Sequence, residues 1–288
     1  GEGIQVAYQL AEKYKTSDSN NRIILATDGD FNVGVSSNSE LEKLIEEKRK
    51  SGIFLTVLGL GMGNYKDSKM EILADKGNGN YAYIDKLSEA QKVLLQEFGG
   101  TLFTIAKDVK IQVEFNPVYV QAYRLIGYEN RALADEDFND DRKDAGDLGA
   151  GHTVTALYEI IPTGTKNAKD FKDKVDKLKY QGNTMTTKAQ TTDEMLTLKL
   201  RYKQPDGTKS QLLTTTVNQQ ATVFPETSES FRFSAVVAQF GMLLRNSEFK
   251  GSTSTAQIIE IAQKAKGKDT EGYRHEFIRL VKNFEGLE

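Results

Sequence analysis

Two carboxylates head the residues of this chain that could do chemistry. In Arg22-Ile23-Ile24-Leu25-Ala26-Thr27-Asp28-Gly29-Asp30-Phe31-Asn32, an apolar run stops at Asp28 and Asp30, spaced i, i+2 around Gly29. Carboxylates at the carboxyl end of a buried strand stand where open α/β sheets bind ligands. They are also the hard oxygen donors that suit Mg²⁺ or Ca²⁺. Asp28 therefore reads as a metal ligand, direct or through water, or else as a turn carboxylate of the kind common after strands. Asp30 reads as a weaker ligand or a contact that orients the loop. Thr27 and Gly29 shape the turn, and Asn32 caps it.

A second acidic stretch runs from Asp135 to Asp147 and holds seven carboxylates. Asp137, Asn139 and Asp141 occupy the first, third and fifth places of a calcium loop. Arg142 stands where the tight turn needs Gly, and Leu148 where the loop ends in Glu, so an EF-hand is rejected. What remains is a looser Ca²⁺ loop or, by default, a solvated acidic loop. The chain has no cysteine and only two histidines, His152 and His275. Thiolate chemistry is thus excluded, and a His-rich zinc site would need carboxylates for most of its shell. No Ser or Asp is marked out to complete a triad with His152, which reads as a residue fixing the start of a strand. His275 reads as a surface or packing residue. Gly59, Gly61 and Gly63 lack the Lys-Ser/Thr of a phosphate loop and read as a tight loop that lets backbones approach.

These residues must be positioned by elements, and the patterning changes along the chain. Residues 1–100 alternate helix and strand. Ile4, Ala7, Tyr8, Leu10 and Ala11 keep helical spacing, and Ile23–Ala26 is an apolar run expected to be buried on both faces. Ser39 with Glu42 suggests a capping box before the stripe Leu41, Leu44, Ile45. Strands follow at residues 53–61 and 81–84, and helices at 70–76 and 88–98. That order implies a parallel sheet. From residue 101 the period falls to two: 109–115, 118–126, 153–161, 195–202 and 210–217 read as antiparallel strands of a small β-sandwich-like module. Lys- and Thr-rich residues 163–190 read as a mobile insertion. Residues 221–288 read as helices, with Phe233, Val236, Val237, Phe240, Leu243 and Leu244 on a broad buried face.

The apolar strand, Thr27-Asp28-Gly29, Asn32, the next helix, Gly52-Ile53 and the strand ending Gly59-Leu60-Gly61 resemble the carboxyl-terminal half of a von Willebrand factor type A domain. The resemblance covers about residues 1–97. It implies that Asp28 is one part of a metal-ion-dependent adhesion site whose Asp-x-Ser-x-Ser and Thr loops are not found among the 27 residues before Asp28. The stretches Asp137-Phe138-Asn139-Asp140-Asp141 and Gly149-Ala150-Gly151-His152-Thr153-Val154 resemble the carboxyl-terminal region of bacterial von Willebrand A proteins of the YfbK type. The expected fold class is a multidomain α+β chain. It comprises a partial α/β (Rossmann-like, von Willebrand A type) parallel sheet, an antiparallel β-sandwich-like module and C-terminal helices, with boundaries near residues 100 and 220.

The function this implies is non-enzymatic protein binding or scaffolding in a bacterial envelope protein. Mg²⁺ or Ca²⁺ would be bound in the intact protein and absent from this part of it. A metal-assisted hydrolase and a purely structural assembly protein are the alternatives. The net charge of -3 argues against a nucleic-acid partner, and no apolar run is long enough for a transmembrane helix. No leader pattern opens the chain, which says little about localisation; the resemblance implies the bacterial envelope or periplasm, with anchoring through a segment upstream as one option. The protein partner is unknown. The free edge of the Ile23–Ala26 strand is expected to recruit a second copy.

Overall fold

A computed structural model describes residues 1–16, 20–29, 37–61, 67–128, 132–165 and 185–286. The chain divides into two compact units, each built from several stretches of sequence. The first comprises Gly1–Gln112, Leu133–Thr153 and Lys199–Thr214, and the second Val113–Ala132, Val154–Leu198 and Thr215–Glu288.

The first unit opens with α1 (Glu2–Tyr14), β1 (Asn21–Thr27), α2 (Asn38–Arg49), β2 (Ile53–Leu60), α3 (Asp67–Lys76) and β3 (Tyr81–Ile84). The three strands form a parallel sheet in the order β1-β2-β3. The sequence explains the centre. β2 is an apolar run of mostly buried residues, and the helices place side chains one turn apart against it. Ile4 and Tyr8 of α1, Leu41 and Ile45 of α2, and Met70, Leu73 and Ala74 of α3 close one core with Ile53, Leu55 and Val57. Burial pushes the Tyr8 phenol up to about 12.

Three expectations are corrected here. β1 is not buried on both faces: Ile24 is 42% exposed, because β1 is the edge strand of this sheet. The N-cap of α2 is Ser37, not Ser39; its Oγ accepts from the Glu40 N–H and donates to Glu40 Oε2 at 2.7 Å, a side-chain cap two residues earlier in place of the expected capping box. The helix expected over residues 88–98 is broken into α4 (Leu87–Gln91), a π-helical turn (Lys92–Gln96) and α5 (Phe98–Leu102), with Phe98 exposed. Gly79 ends the turn after α3 where only glycine fits: a Cβ there would lie 1.8 Å from the Leu55 carbonyl oxygen.

Further strands are β4 (Thr104–Phe115), β5 (Val120–Ile126), β6 (Gly146–Gly149), β7 (Leu157–Pro162), β8 (Glu194–Lys203) and β9 (Ser210–Asn218). They form a four-stranded sheet, β6-β4-β8-β9, and a two-stranded β5-β7 ribbon. Within β4 the register against β6 shifts twice before Val109, and Asp108 takes a positive φ of 50°. This bulge changes the phase of the strand. Lys110 is buried while Ile111 is exposed, the reverse of what simple alternation predicts.

In the second unit, a short α6 (Thr187–Thr191) precedes β8, and three helices end the chain: α7 (Glu229–Leu244), α8 (Thr255–Lys264) and α9 (Tyr273–Glu285). Ser228 caps α7, and Ser254 with Gln257 forms a complete capping box on α8. Val236, Ile258, Ala262, Ile278 and Val281 make the core of these helices. Phe233, Phe277, Phe240 and Phe284 pack edge to face in series around it. Val237 and Leu244, expected on the buried face, are exposed. Most of the insertion expected at 163–190 lies outside the described residues; α6 lies near its end.

Candidate functional site

Asp28 stands immediately after β1, at the carboxyl end of the parallel sheet, and its side chain is exposed. The turn is shaped by its neighbours. Thr27 Oγ1 accepts from the Gly29 N–H at 3.1 Å, and Gly29 is buried with φ of 90°. Thr27 pairs in register with Gly59 of β2, which brings the end of that strand alongside. A Cβ on Gly61 would come within 3.6 Å of Asp28 Cβ, so the two loops lie against each other there. The Gly61 carbonyl in turn accepts from Tyr83 Oη at 2.5 Å. Asp30, Asn32 and Gly63 lie outside the described residues. Asp28 is thus an exposed carboxylate, able to supply one oxygen to a divalent cation if further ligands are provided. Among the described residues no group of three or more His, Cys, Asp or Glu converges to hold one, so the residues present fit one corner of a six- to eight-oxygen shell.

The acidic segment is stitched down by cations, which corrects its reading as a solvated loop. Lys110, 3% exposed, donates from Nζ to the carbonyls of Asp137 and Asp140 at 2.9 and 2.6 Å. The Asp141 carboxylate accepts from Ser210 Oγ and N and from Arg201 Nε and Nη2. The Ser210 and Arg201 bonds hold Asp141 down at about 2. Hydrogen bonds from Arg142 likewise keep Asp140 well below the usual carboxylate range. Lys203 Nζ bridges Asp108 Oδ2 at 2.6 Å and the Asp141 carbonyl at 2.8 Å. Arg49 joins Asp144 to Asn78 Oδ1. Burial raises Asp144 and pushes Asp147 up to about 6. Of the three residues placed in a calcium-loop pattern, Asp141 already carries these partners, Asp137 pairs with Lys143 at 3.3 Å, and Asn139 is exposed.

His152 is exposed, and its backbone N–H donates to the Gly149 carbonyl at 3.1 Å. His275 is exposed in the first turn of α9, where its N–H donates to Asp269 Oδ2 at 2.8 Å. The residues that sequence reasoning missed are Lys110, Arg201, Lys203, Asp108 and Arg22. Each lies on a strand or at a bulge, where charge alone suggests a solvent-facing position. The excess of carboxylates at 135–147 was the one available signal that buried cations had to exist.

Residues 100–287 match the family described as "Uncharacterized protein YfbK, C-terminal". The chain belongs to that family. It is 47% identical over 291 aligned positions to "Uncharacterized protein YfbK" of Escherichia coli (strain K12), covering 100% of this chain and 48% of that protein. The chain therefore spans about half the length of this curated relative. A solved structure described as "von Willebrand factor type A from Catenulispora acidiphila" aligns over 94% of this chain and 61% of its own, at 13% identity and a TM-score of 0.39. The mixed architecture of this YfbK-family chain is evident in its own β1-β2-β3 parallel sheet and separate antiparallel sheets. Among the described residues no helix is long and apolar enough to cross a membrane.

Proposed function

We propose that this chain is part of a protein-binding module in which Asp28 supplies one ligand to a divalent cation in the full-length protein. The exposed Asp28 carboxylate at the carboxyl end of β1, in the turn held by Thr27 and Gly29 against Gly61, carries this reading. A site of this type needs oxygen ligands and one open coordination position for a partner's carboxylate; it needs no acid–base pair. Mg²⁺ suits one carboxylate with hydroxyls and waters. The remaining protein ligands would come from outside the described residues. We infer a cell-envelope location for the full-length protein, and fractionation of the producing bacterium tests it: recovery in the cytosolic fraction would refute it.

Manganese titration followed by electron paramagnetic resonance tests the metal assignment. The full-length protein should bind one Mn²⁺ that Mg²⁺ displaces, and Asp28→Ala should lose it. Equal binding by both proteins would remove Asp28 from the site. A second reading, self-association, is favoured by one observation: β1 is an edge strand with Ile24 exposed. Unpaired edges recruit strands. Sedimentation should then show a dimer of this chain that Ile24→Lys dissociates, and a monomer at all concentrations would end that reading.

A further inference from the structure

The carboxyl end of the parallel sheet carries one row of residues in register across its strands: Thr27 of β1, Gly59 of β2 and Tyr83 of β3. Residues in register point to the same face of a pleated sheet. Thr27 and Tyr83 therefore share a face, and the glycine between them adds no side chain. From this row Tyr83 Oη donates to the Gly61 carbonyl at 2.5 Å. Gly61 lies two residues beyond Gly59, roughly 6–7 Å along an extended chain. A phenol is long and rigid enough to cover that distance, and a Ser or Thr hydroxyl is not.

The bond acts on the backbone beside Asp28. Gly61 is the first residue after β2 and takes a φ of 97°. Glycine has more conformational freedom to lose on ordering than any other residue, so tying down its carbonyl removes much of that freedom. A Cβ on Gly61 would lie 3.6 Å from Asp28 Cβ, which puts this backbone against Asp28. The other side of Asp28 is set by the Thr27 Oγ1 bond to the Gly29 N–H. Asp28 thus stands between a turn held by Thr27 and a glycine held by Tyr83, and both holding side chains come from one row of the sheet.

Burial does not force the Tyr83 bond. It lies at the surface, where water could satisfy the hydroxyl. A tyrosine on β3 has no general need to reach the end of β2 either. Tyr81, two residues earlier on the same face, donates instead to Asp67 in the first turn of α3.

We propose that Tyr83 is a positioning residue for the Asp28 carboxylate: its hydroxyl, acting through the Gly61 carbonyl, fixes the backbone against which Asp28 packs. In the full-length protein this sets the carboxylate for a divalent cation. That last step rests on the function proposed above, and the positioning itself does not.

The test compares Tyr83→Phe with Tyr81→Phe in the full-length protein. Each variant removes one hydroxyl and keeps its ring. In metal-free protein, hydrogen exchange at the Gly29 amide should run about three- to tenfold faster in Tyr83→Phe, the range expected from one lost hydrogen bond, and at the native rate in Tyr81→Phe. Mn²⁺ titration followed by electron paramagnetic resonance should show roughly tenfold weaker binding to Tyr83→Phe, at the lower end of what outer partners of a metal ligand contribute, and native affinity in Tyr81→Phe. Urea midpoints of the two variants should agree. Equal exchange at Gly29 in both variants would overturn the positioning. A faster rate matched by a correspondingly lower midpoint would make Tyr83 merely structural and would overturn it as well. Faster exchange with unchanged Mn²⁺ affinity would overturn its role toward the cation. If the native protein bound no Mn²⁺, the cation reading would fall, and the exchange comparison would still decide whether Tyr83 positions Asp28.

Discussion

Replacing Lys110 by Met isolates what fastens the acidic segment. The substitution keeps most of the buried stem and removes only the ammonium. Nζ makes two charge-assisted bonds, to the carbonyls of Asp137 and Asp140, from a residue that is almost wholly buried. Hydrogen bonds to charged groups contribute about 1.5–3 kcal/mol each after exchange with water, and the two share one ammonium, so the expected loss is about 2–3 kcal/mol. With a urea dependence of about 3 kcal/mol per molar, the unfolding midpoint should fall by somewhat under 1 M. Far-UV circular dichroism suits the measurement, because the chain has no tryptophan. Hydrogen exchange should also accelerate across residues 135–147. The control is Lys264→Met, which removes an exposed i, i+4 pair with Glu260 and should leave the midpoint essentially unchanged. If Lys110→Met matched that control in midpoint and in exchange, the segment would not be fastened by Lys110 and the account of it would be wrong.

Two other outcomes are expected. Because the folded-state Asp147 carboxyl titrates near 6 against 3.8 for the free group, its contribution is complete below pH 3.8 and is lost as pH rises through 6. Unfolding should therefore show stability falling by up to about 3 kcal/mol across that window, and Asp147→Asn should flatten the slope; an unchanged slope would refute the assignment. Gly79→Ala forces a Cβ against the Leu55 carbonyl at 1.8 Å and should cost about 3 kcal/mol or more in urea unfolding, whereas a neutral result would show that the turn is placed incorrectly.

What the sequence revealed depended on whether neighbours or the residue itself decided its position. β2 was legible because its apolar run is buried by helices whose stripes are equally plain. The C-terminal helices were legible for the same reason, while their caps, Ser228 and Ser254, emerge only from their hydrogen bonds. The free edge of β1 was expected, but its apolar run also suggested burial on both faces, and an apolar run alone does not tell a covered face from the exposed one that carries Ile24. The cap of α2 was displaced because Ser37 and Ser39 both stand before the same stripe. Lys110 was invisible for a different reason. A one-residue bulge at Asp108 turns a solvent-facing position inward, and bulges leave little trace in alternation. Asp28 was singled out from its place after the strand, and the structure puts it beside Gly61, a proximity not read from the sequence.

The central claim is cation-dependent protein binding through Asp28 in the full-length protein. Its most direct test is quantitative mass spectrometry of proteins retained by the full-length protein after cross-linking in intact cells. Four arms are needed: native and Asp28→Ala, each washed with Mg²⁺ or with a chelator. The account predicts a defined partner set retained by the native protein with Mg²⁺ and lost from the other three arms. Equal retention in all four arms would contradict it.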